Sequence, residues 1–476
     1  MAISDLRDKL DSKQISAVEL TKSYLDKIHK FDTNINSYIT VCDEIALKQA
    51  KNAQKRIDNK NAAFLTGIPL SVKDNICTDK IKTTCASKIL SDFVPFYNAT
   101  VIERLLNEDA IILGKTNMDE FAMGSTNETS YFGKVKNPIN TDYVPGGSSG
   151  GAAASVAADF CAAALGSDTG GSVRQPAAYC GVTGFKPSYG ILSRFGLIAY
   201  ASSFDTIGFL TKSAKDIAYL MNATAGKDSK DATTISVDND YTKFLDMSIK
   251  GLRIGIPKEF FDDELSENAK KAILSVAEFY KSCGAKLVDI SFKSFAFAKE
   301  AYKILTSAEA SSNLSRYDGM KYGHASGEGE TYKAQICSAR SDGFGNEVRK
   351  RILFGGFVLS AENYDNYYKK ALSVRQAIKN EYNEIFTKCD VLLSPTTATS
   401  AYKFRNENSE FISNNIADKY TMTANLAGLP SISSPCGYDN NNMPFGMCLT
   451  GKNFDDARVI AIADIFEKYY NQTTGL

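Results

Sequence analysis

Three short segments of the chain carry residue types that could do covalent chemistry. Two are glycine loops that contain serines, Pro145–Gly151 and Gly166–Ser172, and the third is the run Ser71–Asn75, which contains one lysine. A serine hydroxyl is a useful nucleophile only beside a base. The chain has only two histidines, His29 and His324, and neither lies near a glycine loop in sequence. The pattern therefore favours a lysine as the base.

Lys73 can serve as a base only if it is held neutral. This requires lowering its pKa from roughly 10.4 towards about 7, at a cost of roughly 4–5 kcal/mol, which burial can supply. In an extended segment Leu70 and Val72 point to one side, while Ser71 and Lys73 point to the other. The local pattern therefore predicts that Lys73 projects from a core strand into a closed pocket.

The two serine loops offer a proton relay and a site for a developing negative charge. Ser148 is suited to lie between the lysine and a nucleophile, because a hydroxyl both donates and accepts hydrogen bonds. The glycines before Ser172 allow backbone N–H groups to crowd around one point, and a helix is expected to begin there. We expect the amides of Thr169, Gly170 and Gly171 to form an oxyanion hole, each donor contributing roughly 2.7–4 kcal/mol in the transition state.

At these residues the chain resembles the amidase signature family, whose members cleave carboxamides with a Ser-cisSer-Lys triad. The separations match as well, with 75 residues between Lys73 and Ser148 and 24 between Ser148 and Ser172. The resemblance implies that Ser172 is the nucleophile, Ser148 the bridging serine in a cis peptide, and Lys73 the base. It also implies an α/β fold in which helices cover both faces of a large mixed β-sheet.

Three further stretches resemble the branch of this family that supplies ammonia within tRNA-dependent amidotransferases: Gly114–Gly124, Ala308–Leu314 and Arg316–Gly319. The resemblance implies that this chain hydrolyses glutamine without a cofactor of its own. A partner chain, the B-subunit, would bind Glu-tRNA(Gln) and use ATP and Mg²⁺, and a small C-subunit would hold the two together. Since a zwitterion needs a cation and an anion around it, Arg351 and Asp418 are implied to bind the α-carboxylate and the α-amino group of glutamine.

Other interpretations stay open beside this one. A stand-alone amidase acting on another small carboxamide would share the triad, whereas a non-enzymatic scaffold would not need it. Gly114–Thr116 suggests a phosphate-binding loop, but Asp109 stands where that motif requires glycine. With no histidine to orient, Asp168 is expected to brace the nucleophile loop. Cys448 stands where the family often has glutamine, which leaves any role of that side chain open.

The composition of the chain argues against a protein that binds nucleic acid or membranes through its net charge, and against a zinc protein. The 476 residues include 55 basic and 55 acidic side chains, so net charge gives no strong attraction to nucleic acid or to anionic membranes. The ten cysteines form no C-x-x-C pair and no Cys/His cluster with zinc spacing. We therefore expect free thiols, no metal site and a reducing compartment. Because the N-terminus lacks an apolar targeting segment, the expected location is the cytoplasm.

The elements that must position these residues are expected to form a single domain over residues 1–476. Residues 1–62 are predicted to be a helical layer, and residues 63–476 an α/β core, because short apolar runs there alternate with helical segments. The capping box Ser16–Glu19 predicts a helix over 17–30. The remaining expectations are a helix over 41–59, a tightly packed helix over 152–158, buried strands at 110–113 and 252–256, and an exposed connection over 226–246.

Overall fold

A computed structural model describes residues 1–238, 240–325, 331–404 and 418–474 of the chain. Its centre is one β-sheet of eleven strands. The strands are β1 (Tyr38–Val41), β2 (Pro69–Lys73), β3 (Ile111–Thr116), β4 (Ala163–Asp168), β5 (Thr183–Lys186), β6 (Thr206–Thr211), β7 (Arg253–Pro257), β8 (Lys286–Ile290), β9 (Val391–Pro395), β10 (Ser431–Tyr438) and β11 (Pro444–Gly451).

Fourteen α-helices lie among the described residues. They are α1 (Ile3–Asp11), α2 (Ala17–Phe31), α3 (Asp43–Asp58), α4 (Thr100–Asn107), α5 (Gly150–Ala157), α6 (Arg174–Cys180), α7 (Ala214–Thr224), α8 (Glu267–Ser282), α9 (Ala298–Asn313), α10 (Tyr332–Gly343), α11 (Asn346–Leu359), α12 (Lys370–Lys388), α13 (Met422–Ala427) and α14 (Asp456–Thr474). None of these helices is both long and apolar enough to span a bilayer.

The sheet is mixed, with the strand order β1-β3-β2-β4-β6-β5-β10-β11-β9-β7-β8. Strand β2 runs parallel to both of its neighbours, β3 and β4, whereas β4 and β6 are antiparallel. Every residue of β2, β3 and β4 is buried. Because successive side chains of a strand point to opposite faces, such burial requires that both faces be covered. The expected α/β fold with a covered mixed sheet is confirmed.

The N-terminal region differs in one respect from the expected helical layer. Helix α2 begins after the capping box at Ser16, as predicted. However, Tyr38–Val41 forms the edge strand β1, antiparallel to β3, and α3 begins only at Asp43. Ile39, Thr40 and Val41 are β-branched and favour a strand over the first turn of a helix, and β3, from a later part of the chain, supplies the strand with which they pair.

Two other segments depart in detail from the sequence prediction. Helix α5 begins at Gly150, two residues earlier than expected, and Gly151 lies so close to β3 that a Cβ atom would come within 2.3 Å of the Asn117 carbonyl oxygen. The connection 226–246, of which residue 239 is outside the described residues, is not uniformly exposed. It contains no α-helix or strand, but Tyr241 and Leu245 are buried and pack into the core.

Candidate active site

Lys73 lies at the carboxyl end of β2, which lies between β3 and β4 in the sheet. The parallel neighbour β4 ends at Asp168, so the loop that carries Ser172 begins at the same edge of the sheet. Strand β3 also ends there, at Thr116. Because parallel strands bring their carboxyl ends together, the lysine and the nucleophile loop meet although they lie far apart in sequence.

The Lys73 side chain is fully buried and bonded to serines. Its Nζ lies 2.8 Å from both Ser148 Oγ and Ser149 Oγ, 3.0 Å from Ser167 Oγ and 3.2 Å from the Ser167 carbonyl oxygen. Burial lowers the pKa of Lys73 to about 7, although the carboxylates of Asp119 and Asp168 oppose the shift. Near neutral pH the amine can therefore accept a proton from a bonded hydroxyl.

The loop that carries Ser148 is held from both sides. The Gly147–Ser148 peptide bond is cis. The Gly147 amide donates to Gln175 Oε1 at 2.9 Å, and the Ser148 carbonyl accepts from the Asp119 amide at 3.2 Å. The Ser149 amide in turn donates to the Ser172 carbonyl at 3.1 Å, which places the two serine loops side by side.

Ser172 is 5% exposed and lines a pocket of about 370 Å³. Within the described residues, its Oγ makes no hydrogen bond. The hydrogen bond between Lys73 and Ser148 is therefore formed, whereas the one between Ser148 and Ser172 is not. Catalytic hydrogen bonds often tighten only when substrate is bound. A larger cavity of about 1000 Å³ opens beside Cys77 and Phe96, but no member of the Lys73, Ser148 and Ser172 set lines it.

The loop before Ser172 differs from the expected oxyanion hole at one amide. The Gly171 N–H donates to Asp168 Oδ1 at 2.8 Å and is therefore not free for a substrate oxygen. The amides of Thr169, Gly170 and Ser172 donate to none of the described residues, so these three are the candidate donors. The Thr169 hydroxyl donates to Asp205 Oδ1 at 2.6 Å, which anchors that side of the loop.

Asp168 braces the nucleophile loop, as its sequence context predicted. It also accepts the Val173 amide, and it forms a fully buried ion pair with Arg174 at 3.0 Å. Burial disfavours its charged form, but Arg174 outweighs this and lowers the pKa of Asp168 to about 2. Asn425 of α13 donates to the same carboxylate, so the loop is tied to α13 as well.

Arg351 and Asp418 line the same pocket as Ser172. The Arg351 side chain is 25% exposed, and its Nε donates to Glu347 Oε1 at 2.9 Å, one turn earlier on α11. Its Nη1 donates to the Tyr200 hydroxyl at 2.5 Å. The guanidinium is therefore fixed at the wall of the pocket and keeps further N–H groups for a ligand, since arginine has five donors.

Asp418 presents an unpaired acceptor beside the nucleophile loop. Its Oδ1 is buried and has no partner among the described residues. The same oxygen would lie 2.9 Å from a Cβ atom at Gly171, which places the carboxylate against that loop. Burial raises the pKa of Asp418, and nearby Asp168 adds to the shift. A buried acceptor without a partner is costly, so this position suits a ligand that brings an N–H donor.

Sequence reasoning missed most of the remaining pocket lining. Helix α9 contributes Lys299, Tyr302, Lys303 and Ser307, and α11 adds Glu347, Lys350 and Phe354; Ala122, Gly124, Ser125 and Met422 complete the lining. Two stretches singled out in the sequence reach this lining, because Gly114–Gly124 contains Ala122 and Gly124, and Ala308–Leu314 lies on α9 except for Leu314. The residues of the second stretch act as supports, because Glu309 accepts the Ser203 amide and Asn313 donates to the Tyr200 carbonyl.

Lys115 and Cys448, for which the sequence raised the question of a functional role, are both buried in strands and bonded to neighbouring residues. Lys115 is fully buried in β3, where its Nζ donates to the Ile76 carbonyl and to Thr83 Oγ1, so Gly114–Thr116 is not a phosphate-binding loop. Cys448 is buried in β11 with its Sγ 3.1 Å from Ser431 Oγ. Among the described residues, no three His, Cys, Asp or Glu side chains form a group that could hold a metal ion.

Comparisons with known proteins agree with this geometry. The family model described as Amidase matches residues 19–460. The solved structure of a bacterial aryl acylamidase, described as belonging to the amidase signature enzymes, is 25% identical, with a TM-score of 0.86 over 100% of this chain and 97% of that one. The chain belongs to the amidase signature family, which confirms the resemblance found in the sequence.

Two further relatives fall within one branch of the family. The A-subunit of glutamyl-tRNA(Gln) amidotransferase from Caldanaerobacter subterraneus subsp. tengcongensis is 49% identical over 471 residues, or 99% of this chain and 96% of that protein. The crystal structure of the A-subunit of glutamyl-tRNA(Gln) amidotransferase from Thermotoga maritima is 35% identical, with a TM-score of 0.80, and the match covers 98% of this chain and 94% of that one. The chain is thus similar to these subunits over nearly its whole length.

Proposed function

We propose that this chain hydrolyses the carboxamide of glutamine and supplies the ammonia for amidation of Glu-tRNA(Gln) on a partner subunit. The observation that carries the proposal is a single pocket with Ser172 in its wall and with Arg351 and Asp418 beside it. The Arg351 guanidinium and the Asp418 carboxyl, which line the same pocket as the nucleophile, suit the carboxylate and the ammonium of an α-amino acid, because the ammonium favours the charged form of Asp418.

The residues present account for the acylation step. The neutral amine of Lys73 accepts the proton of Ser148, whose oxygen takes the proton of Ser172 as Ser172 Oγ attacks the amide carbon. The carbonyl oxygen becomes negatively charged and is stabilised by the amides of Thr169, Gly170 and Ser172. Ser148 then gives its proton to the leaving nitrogen while Lys73 returns a proton to Ser148, so ammonia departs, the relay is restored and a glutamyl ester remains on Ser172.

Deacylation reverses the direction of the relay. A water molecule gives one proton to Ser148, and through it to Lys73, while the water oxygen attacks the ester carbon. When the tetrahedral intermediate collapses, the proton passes back to Ser172 Oγ and glutamate is released. The two steps together consume one glutamine and one water, and they yield one glutamate and one ammonia.

The relatives named above are subunits of an amidotransferase, which supports the proposal that this chain also works with partner subunits. We infer that the B-subunit of the complex binds Glu-tRNA(Gln) and uses ATP and Mg²⁺, that a small C-subunit holds the two larger chains together, and that this chain needs no cofactor. A complex serving translation would act in the cytoplasm. Affinity purification from the native cell should recover both partners. A chain that purifies alone and does not hydrolyse glutamine would support the stand-alone amidase.

The substrate assignment is tested by comparing glutamine with a simple amide that lacks the α-amino and α-carboxyl groups. Arg351→Ala and Asp418→Ala should each lower kcat/KM for glutamine by about 10- to 150-fold, the equivalent of a charge-assisted contact of roughly 1.5–3 kcal/mol. Hydrolysis of the simple amide should change little.

Arg349→Ala is the matched control, since it removes the same charge from the same helix. Arg349 is exposed and donates to the Ser341 carbonyl and to Asn346 rather than into the pocket. We expect it to leave both substrates unaffected. Equal losses on the two substrates with Arg351→Ala or Asp418→Ala would remove those residues from the glutamine site.

A further inference from the structure

Glu120 is a buried carboxylate that takes no part in the proton relay. It is only 3% exposed, and its Oε1 accepts a hydrogen bond from Ser87 Oγ at 2.5 Å. The Gly345 amide donates to both of its oxygens, at 3.1 Å to Oε1 and 2.9 Å to Oε2. Each of its contacts therefore ties together segments that lie far apart in the chain.

These contacts join two walls of the active-site pocket. Glu120 directly precedes the segment that contributes Ala122, Gly124 and Ser125 to the first wall. Gly345 immediately precedes α11, which forms the second wall and carries Arg351. The Glu120 carboxylate is thus the hydrogen-bonded bridge from the first wall to the beginning of α11.

The approach between the two walls is unusually close. A Cβ atom at Gly345 would lie 2.3 Å from Glu120 Oε2, so a side chain at this position would push the carboxylate away from the Gly345 amide. Burial raises the pKa of Glu120 to about 7, although the hydrogen bonds from Ser87 and the Gly345 amide oppose the shift. The partial positive charge of the α11 N-terminus likewise favours the charged form. On the other side, Phe121 and Ala122 have φ values of 49° and 62°, which non-glycine residues adopt only when their surroundings enforce them.

The position of α11 determines where the Arg351 guanidinium lies. Arg351 Nε is bonded to Glu347 of the same helix and its Nη1 to Tyr200 of another segment, so a shift of α11 would displace the guanidinium or break the Tyr200 contact. The far half of α11 is fixed against α9, because a Cβ atom at Gly355 would come within 2.0 Å of the Ser307 carbonyl oxygen. The N-terminal end of α11 is tied to the first wall of the pocket by the hydrogen bonds from the Gly345 amide to Glu120.

We propose that Glu120 is a positioning residue that sets the distance from Arg351 to the opposite wall of the pocket, and thereby the recognition of the substrate carboxylate. The inference rests on the proposed function and adds to it a residue that acts on substrate binding without touching the substrate. Glu120 should affect KM for glutamine, whereas the chemistry at Ser172 should proceed as before.

The test compares Glu120→Ala with Glu120→Gln in the chain assembled with its partner subunits. Glu120→Ala should raise KM for glutamine about 10-fold, with kcat changed by less than about 2-fold and with no effect on the simple amide. Glu120→Gln keeps one oxygen that accepts the Gly345 amide, so its effect should stay below about 3-fold. A loss of fold stability alone would depress both substrates together.

A double-mutant cycle with Arg351→Ala decides whether Glu120 acts through Arg351. If it does, adding Glu120→Ala to Arg351→Ala should cause no further loss on glutamine, because the group that Glu120 positions is already gone. Losses that multiply would overturn the proposal. If Glu120→Ala does not fold, the cycle is run with Glu120→Gln, whose smaller loss must also vanish in the Arg351→Ala background.

Asp342→Asn is the control for a contact between the same segments. Asp342 forms an exposed ion pair with Lys88 at 2.7 Å. Lys88 follows Ser87, and Asp342 precedes Gly343, whose carbonyl accepts a hydrogen bond from the Ser87 hydroxyl. Such surface pairs contribute little, so both substrates should be unaffected. A wild-type complex that does not hydrolyse glutamine would reject the proposed function, whereas equal losses on both amides with Glu120→Ala would reject only the role of Glu120.

Discussion

The rate of glutamine hydrolysis should follow the titration of Lys73. Burial lowers the pKa of this lysine from 10.5 to about 7, which corresponds to about 5 kcal/mol of lost preference for the charged form. At pH 7 about half of the molecules then carry a neutral amine, against about 1 in 3000 for an ordinary lysine. Since only the neutral form accepts a proton, kcat/KM should be level well above pH 7 and fall about tenfold per pH unit below it.

The assay is ammonia release from glutamine by the assembled complex across a range of pH values. Lys73→Arg should be as damaging as Lys73→Met, each losing about 10²- to 10⁴-fold, because a guanidinium stays protonated throughout this range. Lys186→Met is the matched control. Burial also lowers the pKa of Lys186 to about 7, but its Nζ donates to the Pro187 carbonyl rather than to a serine of the site.

Two results would refute the reasoning about Lys73. An arginine variant with near-wild-type activity would show that the site needs a charge and not a base. The second is a pH profile that loses its midpoint near 7 in Lys186→Met but keeps it in the residual activity of Lys73→Met. That profile would show that Lys186, and not Lys73, is the group that titrates. Thermal unfolding of each variant separates either result from a loss of folded protein.

Two further predictions concern the nucleophile and its support. Ser172→Ala should abolish glutamine-dependent amidation in the assembled complex yet leave the use of added ammonium intact, because only the acyl acceptor is lost; glutaminase activity that survives would reject the assignment. Asp168→Asn should destabilise the fold by about 3–5 kcal/mol in denaturant unfolding, since Arg174 would be left buried without its counter-charge. The pKa of Asp168 is lowered from 3.8 to about 2, so its stabilising effect should be complete above pH 3.8 and be lost as the pH falls through 2. Asp390→Asn, which breaks the partly exposed ion pair with Arg253, should cost no more than about 1 kcal/mol; a comparable loss in both variants would contradict the importance of burial.

Local patterns in the sequence predicted much of the fold because they depend on neighbouring residues. The capping box at Ser16 fixes the beginning of α2 through contacts within one turn. The alternation around Val72 predicted a buried strand, and β2 is that strand. The same logic failed at Ile39–Val41, where the edge of the sheet, formed by β3 from a later part of the chain, recruits the segment as a strand.

The residues of the candidate site that stand at the family's sequence spacing were predicted. The contacts that distant segments of the chain make around the site were missed. The sequence pointed to Gly171 as an oxyanion donor, but the amide is taken by Asp168 because the loop folds back on its own beginning. Glu120 lies in the stretch Gly114–Gly124 that the sequence singled out, but its contact was not predictable, since its partner Gly345 lies in a distant segment. Tyr200 holds Arg351 in the same way, through a contact that no local pattern encodes.

The sequence by itself determined which groups are available: a lysine and two serines at family spacing, glycines that admit close backbone approach, and one cation and one anion suited to an amino acid. Only the tertiary structure decided what those groups can do. The pKa of Lys73 is low because strands and loops from several parts of the chain exclude water from it. Arg351 and Asp418 serve one pocket because α11 and the segment before α13 both line the pocket that contains Ser172. Burial and electrostatic proximity are properties of residues in contact, and contacts between distant segments exist only after the chain has folded.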